Sequence, residues 1–418
     1  MAPPRLVKDQ VTLAPKAGGD GPAPIRAVTP LGRYDLPTAL ANAGIAPDFD
    51  VICISGDAML GNLPQGLDRL PGQKILLVGD THHGIRPLAN LIGYALDQGF
   101  DAAVFTYNRQ HAHWFLEAGI SRSIWLPGLA ARALIPAPSG HRLPGLAFLG
   151  QIGDLHPRRH RLYQAMMQAG IPLAFKQGSL SQAGALYGGH VLSWNASLNG
   201  DLNLRIFEIL AAGGCLLTDR LSAQSGLGLL LEEGRHYLAY DSAAELISLT
   251  HTLLADAPRA QAIGHAGADA YRAQYRPDHW RKLFADFIDG QAVPDTYALD
   301  NDLRLSLSPA PGQDFIARLS IYETVQELQR CQERVSIALC GQKRGSLLFD
   351  LSDLQRVDLM VIDPAPDMQD DISLINGSLG ARIEILSAQQ AMGRRFDVVI
   401  DPSGRSDFAA GRILSFEG

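Results

Sequence analysis

Cysteine is scarce in this chain: four in 418 residues, Cys53, Cys215, Cys331 and Cys340, no two of them at the spacing of a metal-binding pair. That scarcity excludes a disulfide-stapled scaffold and a zinc knuckle, and it implies reduced thiols in a cytoplasmic protein. No apolar run reaches the roughly eighteen residues that span a bilayer, and the N-terminal residues hold no signal-peptide core. Charged residues make up only 19%, and the acidic ones outnumber the basic, 43 against 36, for a net charge of −7. A chain without a basic excess is not built to bind nucleic acid or an anionic membrane surface. Walker, zinc and nucleophile-elbow spacings are missing too, and Gly226-Leu227-Gly228 lacks the third glycine of a dinucleotide loop.

What remains is enough for two or three domains with sizeable cores, since 46% of the residues are hydrophobic. Residues 1–24, rich in Ala, Pro and Gly, read as a flexible leader. From Ile25 short apolar strands alternate with helical segments. Strands are expected at Val51–Ser55, Lys74–Val78, Ala102–Tyr107 and Ser123–Leu126, with helices at Leu36–Ala43, Ile85–Gln98 and Gln110–Ala118. That alternation predicts an α/β fold with a parallel sheet, over residues 25–140. Pro127-Gly128, Pro136, Pro138 and Gly140 mark a hinge. A second Rossmann-like unit over residues 141–292 begins at Leu146-Ala147-Phe148-Leu149-Gly150 and continues through the basic helix Arg158–Ala169 to the strand Leu173–Lys176. Ligands in such sheets bind at the carboxyl ends of the strands, where Gly150 and Lys176 fall.

One segment carries most of the chemistry. Leu204, Phe207, Ile209, Leu210 and Ala211 make a helix with little polar surface, so Arg205 and Glu208, one turn apart, must pair with each other or face a ligand. Gly213 or Gly214 ends the helix, and Cys215–Thr218 follows as a buried strand. Taken alone, an Arg/Glu pair at this spacing also fits a plain helix-surface ion pair.

The flanks extend the pattern. Leu186–Asn195 precedes the helix, Glu233–Asp241 and Ala244–Ile247 follow it, and a helical run from Leu254 to Ile288 closes on His279-Trp280-Arg281. Together they resemble the C-terminal motif of glycosyltransferases with two facing Rossmann-like domains, the GT-B architecture, and in particular the glycosyltransferase-like family of the spore maturation protein CgeB. The likeness covers about residues 70–290, with 186–290 its specific part. It implies a nucleotide-sugar donor and transfer to an acceptor hydroxyl, the acceptor being a glycan, a protein or a small molecule. By that resemblance Glu208 holds the ribose hydroxyls and Arg205 meets the diphosphate. Asn203 at the helix start, Lys176, Gly150 and Arg159, or Arg158 beside it, complete the donor side. Many retaining members carry a second glutamate eight residues before the first; here that place is Gly200, with Asp201 next to it.

In such enzymes the base comes from the N-terminal domain. The strand Lys74–Val78 runs into Gly79-Asp80-Thr81-His82-His83-Gly84, so His82 or His83 can accept the acceptor's proton with Asp80 orienting it. A bland loop with an aspartate cap fits the same residues. Adjacent histidines rarely converge on one ion, so no metal is expected, and no cofactor apart from the donor substrate. A linker and helix over 293–334 lead to a third segment, 335–418. Its strands at Val335–Cys340, Val357–Asp363, Ala381–Ser387 and Phe396–Asp401, joined by short connections, resemble half a methyltransferase. Cys340–Gly345 has only the outer glycines of that family's cofactor turn, so the expectation is a degenerate accessory or oligomerisation domain, through which the chain would form a homo-oligomer. Two other readings stay open, an inactive scaffold of the same fold and a nucleotide-sugar epimerase.

Overall fold

The computed structural model describes residues 10–14, 25–56, 61–120, 122–131, 142–153, 156–176, 182–299, 307, 315–402 and 408–414. The expected hinge prolines Pro136 and Pro138 and Gly140 lie outside these residues.

In the N-terminal unit the strands are β1 (Thr12–Ala14), β2 (Ile25–Val28), β3 (Gly32–Asp35), β4 (Val51–Gly56), β5 (Asn62–Gln65), β6 (Gln73–Val78), β7 (Ala102–Phe105) and β8 (Arg122–Trp125). The last strands form a parallel sheet in the order β4-β6-β7-β8, beside the parallel pairs β1-β2 and β3-β5. Part of the expected leader is thus a strand, because Thr12–Ala14 pairs with β2. Helices α1 (Leu36–Asn42), α2 (Pro87–Asp97) and α3 (Ala112–Glu117) connect these strands. α1 starts where the Asp35 carboxylate accepts from the Thr38 amide at 2.9 Å.

The second unit has β9 (Leu143–Leu149), β10 (Leu173–Lys176), β11 (His190–Trp194), β12 (Cys215–Asp219) and β13 (Tyr237–Tyr240), all parallel in the order β10-β9-β11-β12-β13. Its helices are α4 (Pro157–Gln168), α5 (Ala183–Gly188), α6 (Leu204–Ala211), α7 (Leu227–Leu230), α8 (Ala243–Ala255), α9 (Ala257–Gln274) and α10 (Pro277–Ile288). Every residue of β12 is buried, as a parallel strand covered on both faces should be. After α10 the chain returns to the first unit, where Tyr297 O accepts from Trp125 N at 3.0 Å. Gly128 lets it do so: a Cβ there would fall 2.0 Å from the Trp280 indole nitrogen. The two sheets face each other across a cleft, as the GT-B resemblance implied.

The third segment differs from its expected form. After α11 (Phe315–Cys331) come β14 (Val335–Cys340), α12 (Ser346–Ser352), β15 (Val357–Ile362), α13 (Pro366–Leu379), β16 (Ile383–Leu386), α14 (Ala388–Ala391), β17 (Arg395–Ile400) and β18 (Ala409–Leu414). Helices α12, α13 and α14, not short connections, join the first four of these strands, and the parallel sheet has five strands, in the order β16-β15-β14-β17-β18. Met368, Ile372 and Ile375 face the core at helical spacing, a pattern readable in the sequence. Nor does the segment stand apart. Arg318 on α11 pairs with Asp350 at 2.7 Å and with Glu117, and Tyr322 donates to Asp353 at 2.9 Å. Glu323 accepts from the amides of Leu88 and Ala89 at 2.8 and 3.2 Å, capping α2, which has no side-chain cap of its own. One buried apolar cluster runs through all three units, from Ile75 through Phe207 to Leu339.

Candidate active site

β9 lies between β10 and β11, so the chain order reverses there, and the crevice at the carboxyl ends of β9 and β11 is where an open parallel sheet binds a ligand. A cleft of about 450 Å³ opens at that point, walled on the other side by the loop after β6. Asp80, His82, His83, Gly150, Arg159, Asn203, Arg205 and Glu208 all line it. Lys176 does not: it is exposed at the end of the edge strand β10, and the residues that follow it, 177–181, lie outside the described ones. Arg158 is elsewhere as well, buried in an ion pair with Asp219 at 2.8 Å. Successive helix residues point about a quarter-turn apart, which sends Arg158 to Asp219 at the end of β12 and Arg159 into the cleft.

The wall formed by the second unit carries two guanidiniums, and the Asp201 carboxylate lines the same cleft. Arg205 donates to Leu149 O at 3.0 Å and Asn195 Oδ1 at 2.8 Å, and its guanidinium sits 4.6 Å over the Phe148 ring. Arg159 donates to Gln151 O and Ala196 O, both at 2.9 Å, and lies 5.5 Å from the same ring. Among the described residues neither guanidinium has a carboxylate within 4.0 Å, whereas Arg158 does. Burial, then repulsion from Arg205, brings Arg159 down to about 9. Asn203 caps α6 by accepting from Arg205 N at 3.1 Å, and its amide Nδ2 has no partner. The positive end of α6 therefore faces the same space.

Glu208 is half-buried on α6 and faces the cleft. It makes no ion pair with Arg205 within 4.0 Å, and no side-chain hydrogen bond of the described residues involves its carboxylate. Burial pushes its carboxyl up, only partly offset by the Arg205 charge. The pairing set by the sequence as one alternative is not formed within 4.0 Å, and both side chains line the open cleft.

Gly150 sits at φ +152°, and a Cβ there would lie 2.7 Å from the Arg205 guanidinium. Gly150→Ala must push Arg205 aside and hold an L-residue at a backbone angle it rarely adopts, so the melting temperature is expected to fall, and an anion held by Arg205 should bind about tenfold or more weaker, the worth of one charge-assisted hydrogen bond. Calorimetric titration checks it.

Across the cleft, His83 Nδ1 is bonded to the Asp80 carboxylate, leaving Nε2 without a partner among the described residues. That bond raises the His83 pKa against the effect of burial, and the Asp80 and Asp201 charges add to the rise. Burial alone would push Asp80 up, but the His83 bond and the two neighbouring histidines outweigh it and hold the carboxyl down at about 2. His82 is different. Its Nε2 meets Asn108 Oδ1 at 2.9 Å and its Nδ1 meets Gln326 Nε2 at 3.2 Å, so both ring nitrogens are engaged in a buried network. Only His83, of the two, has a ring nitrogen without a partner among the described residues.

Sequence reasoning missed three contributors. The His156 ring lies tilted at 5.7 Å from that of His83, and burial, then the Arg159, His83 and Arg205 charges, bring it down to about 4, so it is neutral at pH 7. Asn195 fixes Arg205 from the end of β11, and Tyr107 lines the cleft from the end of β7. All three stand at carboxyl ends of strands or at the helix start that follows, the positions the topology favours.

Residues 160–286 match a family model described as glycosyl transferase-like. The matched stretch includes Asn203, Arg205 and Glu208 and leaves out Gly150, Arg159 and the His83 wall. The chain is also similar to solved structures. They include a sucrose-phosphate synthase from Thermosynechococcus elongatus, 12% identical over 61% of this chain and 75% of that one, with a TM-score of 0.45. Anabaena HepE in complex with UDP-glucose is 11% identical over 63% and 86%, TM-score 0.45. The pneumococcal O-GlcNAc transferase GtfA in complex with UDP and GlcNAc is 12% identical over 52% of each chain, TM-score 0.40. No curated protein matches the chain.

Proposed function

We propose that the protein transfers a sugar from a nucleoside-diphosphate sugar to an acceptor hydroxyl, along the lines of its resemblance to the CgeB group. The observation that carries this is the cleft's charge: two guanidiniums with no carboxylate within 4.0 Å among the described residues, and one carboxylate without a side-chain hydrogen bond among them a helix turn away. A nucleoside diphosphate complements both at once. Its phosphates answer Arg159, Arg205 and the start of α6, and its ribose hydroxyls answer Glu208. The acceptor oxygen attacks the anomeric carbon, the bond from that carbon to the phosphate oxygen breaks, and the acceptor's proton goes to His83 Nε2. The departing diphosphate gathers negative charge where the guanidiniums and the α6 amides are already fixed, so no divalent metal is required. Gln110 on the N-terminal unit donates to Gly200 O at 3.2 Å, a direct tie between the two walls that shapes the closed site.

The test is a calorimetric titration with UDP-, GDP-, TDP- and CMP-sugars, followed by nucleotide release with and without acceptor. One donor binds, and Glu208→Ala weakens it by about tenfold or more. A changed sugar nucleotide without any acceptor would favour an epimerase, and binding of none of the four would sink the reading in favour of a scaffold.

A further inference from the structure

A second cavity, of about 290 Å³, lies in the N-terminal unit behind the cleft. It is formed by Leu13, Leu36, Leu40, Phe49, Cys53 and Leu77, with Gly79 and Tyr107 at one end. None of its lining residues is Asp, Glu, Lys, Arg or His, whereas the neighbouring cleft is lined by eight such groups. The Cys53 thiol adds no charge, since burial pushes it up to about 12. Polar side chains line it too, but several are already engaged: Thr106 with Val78 O, the Tyr34 hydroxyl with Asn62 and Gln10 with Thr12, each at 3.1 Å.

The cavity and the cleft are neighbours through Tyr107, which lines both. Gly79 immediately precedes Asp80, and a Cβ on it would touch the Tyr107 ring at 4.0 Å. A molecule presenting a hydroxyl to His83 therefore has an uncharged, mainly apolar space a residue or two behind it. Sugar hydroxyls buried there would lose water without enough partners, while hydrocarbon would gain. The volume is about twice that of a cavity known to take up benzene.

We infer that the acceptor is an amphiphile, a hydroxyl-bearing head joined to an alkyl or aryl group of about eight to twelve carbons that fills this cavity. The inference rests on the transfer reading above, because that reading places the acceptor hydroxyl at His83.

The experiment titrates the full-length protein, in the presence of UDP, with ethyl, butyl, hexyl and octyl β-D-glucosides below their micellar concentrations. Affinity is expected to rise by up to about fourfold for each methylene buried. Cys53→Phe, which fills the cavity, should flatten that series while leaving UDP affinity unchanged; Ser55→Phe, at an exposed lining position, repeats the test where Cys53→Phe fails to fold. UDP binding with no dependence on chain length overturns the amphiphile. Chain-length dependence that persists unchanged in a folded filling variant overturns this cavity as its site. Absence of binding by UDP, and by GDP, TDP and CMP tried in its place, defeats the transfer reading itself, so the failures are distinguishable.

Discussion

His83→Ala is expected to lower kcat by about 10²- to 10⁴-fold, the range of general acid–base contributions. Nucleotide affinity should change little, because the guanidiniums and Glu208 stand on the other wall. The wild-type rate carries a second mark of this residue. His83 must be neutral to accept a proton, and its pKa is raised from 6.5 by the Asp80 bond. Activity is therefore low at acid pH and rises as pH passes through a midpoint above 6.5, while Asp80 stays ionised throughout. In Asp80→Asn the support is gone, so the midpoint should fall together with the rate. Steady-state profiles of both variants check this; an unchanged profile in Asp80→Asn would remove His83 from the chemistry.

Arg318→Met is expected to destabilise the whole protein by about 3–5 kcal/mol, the usual cost of leaving buried carboxylates uncompensated. Arg318 is fully buried between Asp350 of the third unit and Glu117 of the first. His113 approaches Asp350 at 3.0 Å, and His111 joins the same junction through Tyr322 at 2.7 Å. Around it the third unit also reaches the donor loop, since Gln355 Oε1 accepts from Ser197 Oγ at 3.3 Å. Loss of the pair should thus lower a single unfolding transition seen by calorimetry. A variant in which only a separate, minor transition moved would show that the third unit folds by itself.

The third unit is also where the sequence was least legible. Its strands announce themselves as apolar runs, but the Arg318, Glu323 and Gln355 contacts join residues far apart in the chain, and no local pattern encodes them. The donor side was far clearer, because Arg205 and Glu208 break an apolar helix that ends on Gly213, which does adopt φ +69°. Lys176 and Arg159 illustrate the limit. Both are basic residues near strand ends, yet only the position of β10 at the sheet edge removes one and only helix phase keeps the other. His82 and His83 were equivalent as letters; burial against Asn108 and Gln326 separates them.

The central claim is that the cleft holds a nucleoside diphosphate between the guanidinium pair and Glu208. Calorimetric titration of UDP into the wild type and Arg205→Ala, each at two salt concentrations, tests it most directly. The account predicts measurable wild-type affinity, a drop of about tenfold or more in the variant, and a weaker salt dependence once one cation is gone. Equal affinities with equal salt dependence would contradict it.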